Sequence, residues 1–168
     1  RHLIAPSRHR PALYLRPMSR RGTPRDYSDP FATGLYFPEI KRRHSKLHGW
    51  GVFALEGINK NKWIIHYAGE KIRNKDSTQR EAKYLARGEI WCFRVNQHYA
   101  RDANVEGNVA RFINHACKPN CYSNIIGDTI WIIAARNIKA GEELTYNYYT
   151  EGAGEIPCHC QPSCTHLL

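Results

Sequence analysis

The 168-residue sequence has no run of about 18 apolar residues, so no segment reads as a membrane-spanning helix. Its first 25 residues are arginine-rich and lack a continuous apolar stretch, which argues against a secretory signal. No GxGxxG opens a helical pattern, so a Rossmann-type cofactor site has no support. No internal repeat or low-complexity tract is visible. Helical patterning is scarce, with one confident segment in the whole chain. Acidic residues are also few, 15 Asp/Glu against 25 Lys/Arg, giving a formal charge of +10. The chain opens on Arg1 instead of Met, which predicts a piece of a longer protein whose targeting segments lie elsewhere. Length suits one domain with a modest extension.

The positive charge is concentrated at the front. Residues 1–46 hold 11 Lys/Arg against 3 Asp/Glu, whereas residues 47–168 hold 14 against 12. Such a basic arm attracts nucleic acid through counterion release. It reads equally well as a solvated tail. Pro6, Pro11, Pro17, Pro24 and Pro30 block regular elements there, so residues 1–36 are expected to be irregular.

From Lys46 the pattern becomes that of short strands. A strand can begin within Leu35 to Ile40, and Val52 to Leu55 and Lys62 to Tyr67 are β-type runs. Asp76 or Ser77 can cap a helix over Thr78–Ala86, stopped by Gly88. Ile90 to Val95 is rich in aromatic and branched residues. Tyr122 to Ile126 and Thr129 to Ala135 form the clearest hairpin, turning at Gly127-Asp128. Many short strands and one helix predict a β-rich fold.

Four constellations carry chemistry. In His48-Gly49-Trp50-Gly51, paired glycines let the backbone approach something closely, or simply form a tight turn. Arg111 to Cys121 packs Asn114, Asn120, His115, Cys117 and Cys121 beside Phe112 and Ile113, a wall both polar and buried. His115 there can be a base, a ligand or a hydrogen-bonded structural residue. In Gly141 to Tyr149, Tyr146, Tyr148 and Tyr149 crowd one place. They read as an aromatic channel for an amine or as ordinary packing residues of a strand. Cys158, Cys160 and Cys164 lie too close together to pair easily as disulfides, and three thiolates fit three corners of a tetrahedral zinc. Cys121 or His159 is open as the fourth ligand.

Taken together, the chain from about Ile40 to Leu168 resembles a SET domain followed by a post-SET cysteine segment. Four motifs carry the resemblance, in the family's order and at its usual spacing. They are Gly49-Trp50-Gly51, Tyr67-Ala68-Gly69-Glu70, Gly107-Asn108 leading to Arg111-Phe112-Ile113-Asn114-His115, and Gly141-Glu142-Glu143-Leu144-Thr145-Tyr146. Within the family the chain is most similar to the trithorax/mixed-lineage-leukaemia group and related bacterial SET proteins. The resemblance implies a mainly β (β+α) SET-domain fold of several short β-sheets with few helices. It divides the chain into a basic Pro/Arg-rich extension (1–36), a SET domain (37–150) and a zinc-bound post-SET segment (151–168).

The resemblance further implies a protein-lysine N-methyltransferase that uses S-adenosylmethionine, transfers the methyl directly in line, and favours mono-methylation of a histone lysine. Tyr148 matches the catalytic tyrosine, Tyr146 the position that tunes methyl number, and Trp91 the usual channel tyrosine. His48, Gly49, Trp50, Trp91, Asn114, His115, Tyr148 and His159 would surround the cofactor, with the final leucines covering its adenine side. Cys121, Cys158, Cys160 and Cys164 would hold structural zinc. Implied partners are a histone tail or other protein lysine, nucleosomal DNA against the basic extension, and activating subunits, with no membrane. The place of action would be nuclear chromatin, or a host nucleus for a bacterial effector. This sequence departs from the family at Trp91, at Asn147 in place of Asp, and at a C-x-C-x3-C cluster one residue short. Thr165-His166 replaces the usual Arg-rich exit, leaving His159 and His166 open as ligands. Two other readings are a weakly active or inactive chromatin-binding module needing partner subunits, and a zinc-containing nucleic-acid binder.

Overall fold

A computed structural model describes residues 36–150 and 156–168. The Pro/Arg-rich segment 1–35 lies outside the described residues, and so do the irregularity and DNA contact expected of it. Phe37–Leu168 forms one compact unit.

Three small sheets and one helix build it. The first sheet has the order β1-β2-β10-β7, from Ile40–His44, Trp50–Ala54, Glu143–Tyr146 and Asn114–His115. The second, β3-β9-β8, comes from Trp63–His66, Thr129–Ala134 and Cys121–Ile126. The third, β4-β6-β5, comes from Glu70–Arg73, Tyr99–Asp102 and Cys92–Arg94, and α1 (Asn74–Leu85) follows directly from β4. The expected mainly β fold is thus present.

The hairpin at Gly127-Asp128 forms as its alternation predicts, with Gly127 at φ +60°. Its β9 strand is buried from Ile130 to Ala134, so its apolar run marks the centre of the core. Val52, Ile64, Ile113, Ile130, Ile132 and Leu144 meet there from different sheets. At roughly 1.5–3 kcal/mol per buried large aliphatic, this contact supplies the main force holding the sheets together.

The helix departs from the sequence expectation. It starts at Asn74, not Thr78, and no side chain caps its first turn. A tertiary anchor replaces the cap: the Asn74 amide donates to His98 O at 2.9 Å and its side chain to Asn96 O at 3.0 Å. Ser77, expected as a cap, is buried. Behind the helix, fully buried Asp102 accepts from Arg80 at 2.8 Å and from the Tyr84 hydroxyl at 2.9 Å. The charge is therefore paired, as a buried carboxylate requires.

The site depends most on a pairing that local pattern does not reveal. β10 runs parallel to β7, with Thr145 opposite Asn114 and Tyr146 opposite His115. Asn120 reinforces it: its side chain accepts from the Thr145 amide at 2.8 Å and donates to Glu143 O at 2.7 Å. Two motifs far apart in sequence become one wall.

Candidate active site

Two cavities meet on this wall. The first, about 280 Å³, is lined by the turn Leu47–Trp50, the loop Gly88–Trp91, Arg111, Phe112, Asn114, His115, Tyr148 and Ile156–Cys160. The second, about 490 Å³, runs between Tyr67, Phe93, Tyr146 and Tyr148 on one side and α1 residues such as Ser77 and Glu81 on the other. Ile90, Arg111, Tyr148 and Leu168 border both. All the expected cofactor residues (His48, Gly49, Trp50, Trp91, Asn114, His115, Tyr148 and His159) line the first cavity.

The turn Ser45–Trp50 is held from below. The Asn114 amide nitrogen donates to His48 O at 3.3 Å, Trp50 O at 3.0 Å and Glu143 Oε1 at 2.8 Å. Ser45 donates its hydroxyl to the same carboxylate at 2.8 Å and accepts the Leu47 amide at 2.8 Å. A Cβ at Gly51 would overlap the Glu143 carboxylate, so close approach explains that glycine. Sequence pattern alone does not single out Glu143 or Ser45. A glutamate in a Gly-Glu-Glu turn looks solvated until Asn114 is placed beside it.

His115 is buried and joins two parts of the site. Its Nδ1 accepts the Tyr148 amide at 3.2 Å, which places the proton on Nε2. Nε2 faces the Cys117 sulfur at 3.5 Å, so the sulfur accepts. Burial, and then neighbouring His166, lower the His115 pKa to about 4, so the ring is neutral at physiological pH. His115 thus links the Tyr148 backbone to the Cys117 sulfur. His166 stacks on it at 5.5 Å.

Tyr148 donates its hydroxyl to Ile113 O at 2.9 Å, and Tyr67 donates to Trp91 O at 3.0 Å. The rings of Tyr67, Phe93, Tyr146 and Tyr148 follow one another at 5.4, 5.9 and 4.9 Å. Burial pushes the phenols of Tyr67, Tyr146 and Tyr148 above the usual tyrosine range, so all three stay protonated. Trp91 lines the first cavity only. Its indole N–H donates to Glu89 at 3.2 Å, the carboxylate oxygen that also receives Arg87 at 2.9 Å.

The cysteine set differs from the sequence expectation. Cys117, Cys158, Cys160 and Cys164 bring their sulfurs within 4.8 Å of one another. Cys121 is not among them. It is wholly buried in β8 opposite Ala134, donates to Asn120 at 3.4 Å, and burial pushes its thiol pKa up to about 12. Cys117 lies in the bend between β7 and β8 with its sulfur against the C-terminal cysteines, whereas Cys121 opens β8 and is buried in the core. The Cys117 sulfur is 3.7 Å from Cys164 and 3.9 Å from Cys158. Zinc–thiolate bonds of about 2.3 Å in a tetrahedron require sulfurs about 3.8 Å apart. The thiols therefore fit zinc with neither His159 nor His166 as ligand, and the short C-x-C-x3-C spacing is compatible with the cluster.

The comparisons with known proteins agree with this architecture. The sequence model of the SET domain matches residues 49–149. "Histone-lysine N-methyltransferase, H3 lysine-4 specific" of Schizosaccharomyces pombe is 44% identical over 132 residues, covering 74% of this chain and 14% of that one. "Histone-lysine N-methyltransferase ATXR7" of Arabidopsis thaliana is 43% identical over 128 residues, covering 72% and 9%. Among solved structures, a chain of the humanized mutant of the Chaetomium thermophilum Polycomb Repressive Complex 2 bound to the inhibitor GSK126 superposes with a TM-score of 0.60. It is 32% identical and covers 70% of this chain and 16% of that one. The fold, with two cavities meeting at one tyrosine, and the matched sequence define the class: the chain belongs to the SET-domain family. It spans only about a tenth of the length of the curated relatives it matches.

Proposed function

We propose that this chain is the catalytic region of a histone-lysine N-methyltransferase that uses S-adenosylmethionine and favours the first methyl addition. One observation carries the reading: Tyr148 borders both cavities, so a donor in the first and a lysine in the second would meet at its hydroxyl. The first cavity suits the cofactor in kind, with an aromatic wall of Trp50, Trp91, Phe112 and Tyr148 and polar groups from His48, Asn114 and Arg111. Its size is at the small end of ligand pockets. What the bound cofactor supplies is a methyl group already made electrophilic by its sulfonium, so no covalent enzyme intermediate is needed.

The chain's own residues supply the rest. Tyr67, Phe93 and Tyr146 exclude water from the lysine path. Arg94 and Arg111 line the same cavity, and their like charge beside the aromatic rings disfavours an ammonium, with Glu81 on the α1 side as the opposing charge. The Tyr148 hydroxyl, donating to Ile113 O, keeps a lone pair to accept from the amine and aim its nitrogen. Because the three phenols stay protonated, none acts as the base. The proton leaves to solvent before transfer. Tyr146 stands in the wall of that cavity beside Phe93 and Tyr148, and a hydroxyl-bearing ring at the position that resembles the methyl-number site supports the preference for one methyl. Cys117, Cys158, Cys160 and Cys164 would hold a structural zinc that fixes the segment bearing His159 and Leu168.

Action on chromatin in the nucleus, activating subunits, and contact of segment 1–36 with nucleosomal DNA belong to the same proposal. The names of the relatives and the complex-borne neighbour support the first two. Mixing the purified chain with isotope-labelled S-adenosylmethionine and core histones tests it. Mass spectrometry is expected to find mono-methyl lysine on histone H3. No label, with cofactor binding intact, would overturn it. A second reading, a weakly active module, rests on Trp91, whose ring nitrogen is turned to Glu89. Trp91→Tyr switching on an otherwise silent chain would support that reading, and equal activity in both forms would remove it.

A further inference from the structure

Strand β1 carries Lys41, Arg42, Arg43 and His44 in succession, and Lys46 follows. All five side chains are exposed. Among the described residues Lys71, Arg80, Arg87 and Arg136 each pair with a carboxylate, while single cations such as Arg73, Lys83 and Lys139 make no ion pair; β1 differs from these in placing its cations side by side. None of the five pairs with a carboxylate among the described residues. Glu39 and Glu56 lie at the far end of the strand, where Glu56 accepts the Glu39 amide at 2.7 Å.

Among the described residues β1 is also the terminal strand of its sheet, paired on one side by β2. Alternation divides its charges. Arg42 and His44 lie on the face of Trp50, where the guanidinium sits 4.4 Å from the Trp50 ring and 4.8 Å from Phe112, and His44 stacks at 4.1 Å. Lys41 and Arg43 project from the opposite face, about 7 Å apart, with the Arg43 guanidinium 6.0 Å from the Phe53 ring, and exposed Lys46 follows in the bend after the strand. Among the described residues these three cations make no ion pair, and exposed Glu39 is the one acidic residue within two positions of them.

We infer that the β1 strand is a polyanion-binding edge whose occupant is the phosphate backbone of duplex DNA. Charge complementarity picks that partner over an acidic protein. Phosphate contacts supply binding without any apolar anchor, whereas a protein interface needs a desolvated core of aromatic or aliphatic side chains. The outward side chains of β1 offer only cations. The strand adjoins Trp50 in the wall of the first cavity, so bound DNA would lie beside the mouth of the site. The inference goes beyond methyl transfer and is read without turnover.

The test uses the full chain, a fluorescent duplex, and anisotropy titrations over a series of salt concentrations. Lys41→Gln/Arg43→Gln/Lys46→Gln is expected to make the slope of log affinity against log salt shallower by about 2.7, at about 0.9 for each phosphate no longer neutralised. A fourfold rise in salt then weakens the native chain about 40 times more than the variant. The charge-keeping Lys41→Arg/Arg43→Lys/Lys46→Arg chain is expected to retain the native slope, and thermal melts of both check folding. An unchanged slope in the Gln variant overturns the inference. So does loss of poly-glutamate binding with DNA binding intact, which would assign the edge to an acidic protein. Aggregation of the Gln variant with an unchanged slope also overturns it, leaving the cations only as guards of a sheet edge.

Discussion

The side-chain amide of Asn114 donates to the Glu143 carboxylate over 2.8 Å, joining strands β7 and β10 across 29 residues of chain. Through this bond the floor of the first cavity holds its rim, because the same amide nitrogen reaches His48 O and Trp50 O. The shape of the Ser45–Trp50 turn is therefore a tertiary property, tied to a carboxylate outside the lining of the cavity. Glu143→Ala removes the acceptor for both Ser45 and Asn114. A charge-assisted hydrogen bond of this kind is worth roughly 1.5–3 kcal/mol. Calorimetric titration with S-adenosylhomocysteine is expected to show affinity reduced at least about tenfold. Native affinity in this variant would detach Glu143 from the cavity.

Metal content separates Cys117 from Cys121. Elemental analysis is expected to find one zinc per native chain, lost in Cys117→Ser and kept in Cys121→Ala. Truncating a wholly buried cysteine still costs stability through the small cavity it leaves, on the order of 1 kcal/mol. Chelation is expected to lower the melting temperature and weaken cofactor binding, since Ile156–Cys160 closes the first cavity. Zinc retained by Cys117→Ser would sink the assignment.

Glu89 should act on the first cavity only through Trp91. The indole is fixed by that carboxylate at 3.2 Å and backed by the Arg111 guanidinium 5.3 Å from its ring. Glu89→Ala is expected to weaken S-adenosylhomocysteine binding several-fold, and Glu89→Gln, which keeps an acceptor, much less. In a Trp91→Phe background the Glu89→Ala change should have almost no further effect. A double-mutant cycle on binding, with melting temperatures as control, measures that coupling. Independent effects would show that Glu89 works by another route.

The pH dependence follows from the buried phenols. Tyr67, Tyr146 and Tyr148 have folded pKa values above the ordinary 10.0, chiefly through burial. A raised folded pKa means that the stability is whole below the unfolded pKa. It falls as pH climbs above about 10 toward the folded value, because only the unfolded chain releases the protons freely. Alkaline titration at the tyrosinate absorbance band should therefore leave these three silent until the chain unfolds. Smooth ionisation of all ten tyrosines without unfolding would contradict their burial.

Local chemistry wrote the short strands, the Gly127-Asp128 hairpin and the helix stop at Gly88 into the sequence, because alternation, turn residues and glycine act over a few residues. The motif residues were equally legible: Asn114, His115, Tyr146 and Tyr148 are distinctive in type and order. Pairings across the chain were not. Parallel contact of β7 with β10, the support of the Ser45–Trp50 turn by Glu143, and an uncapped helix anchored by Asn96 and His98 all depend on which distant strand arrives alongside. The cysteines show the division most clearly. Sequence alone put Cys158, Cys160 and Cys164 together and called for a fourth ligand. Only the tertiary structure chose Cys117, since the bend before β8 leaves that thiol against the C-terminal segment and the strand itself buries Cys121 in the core.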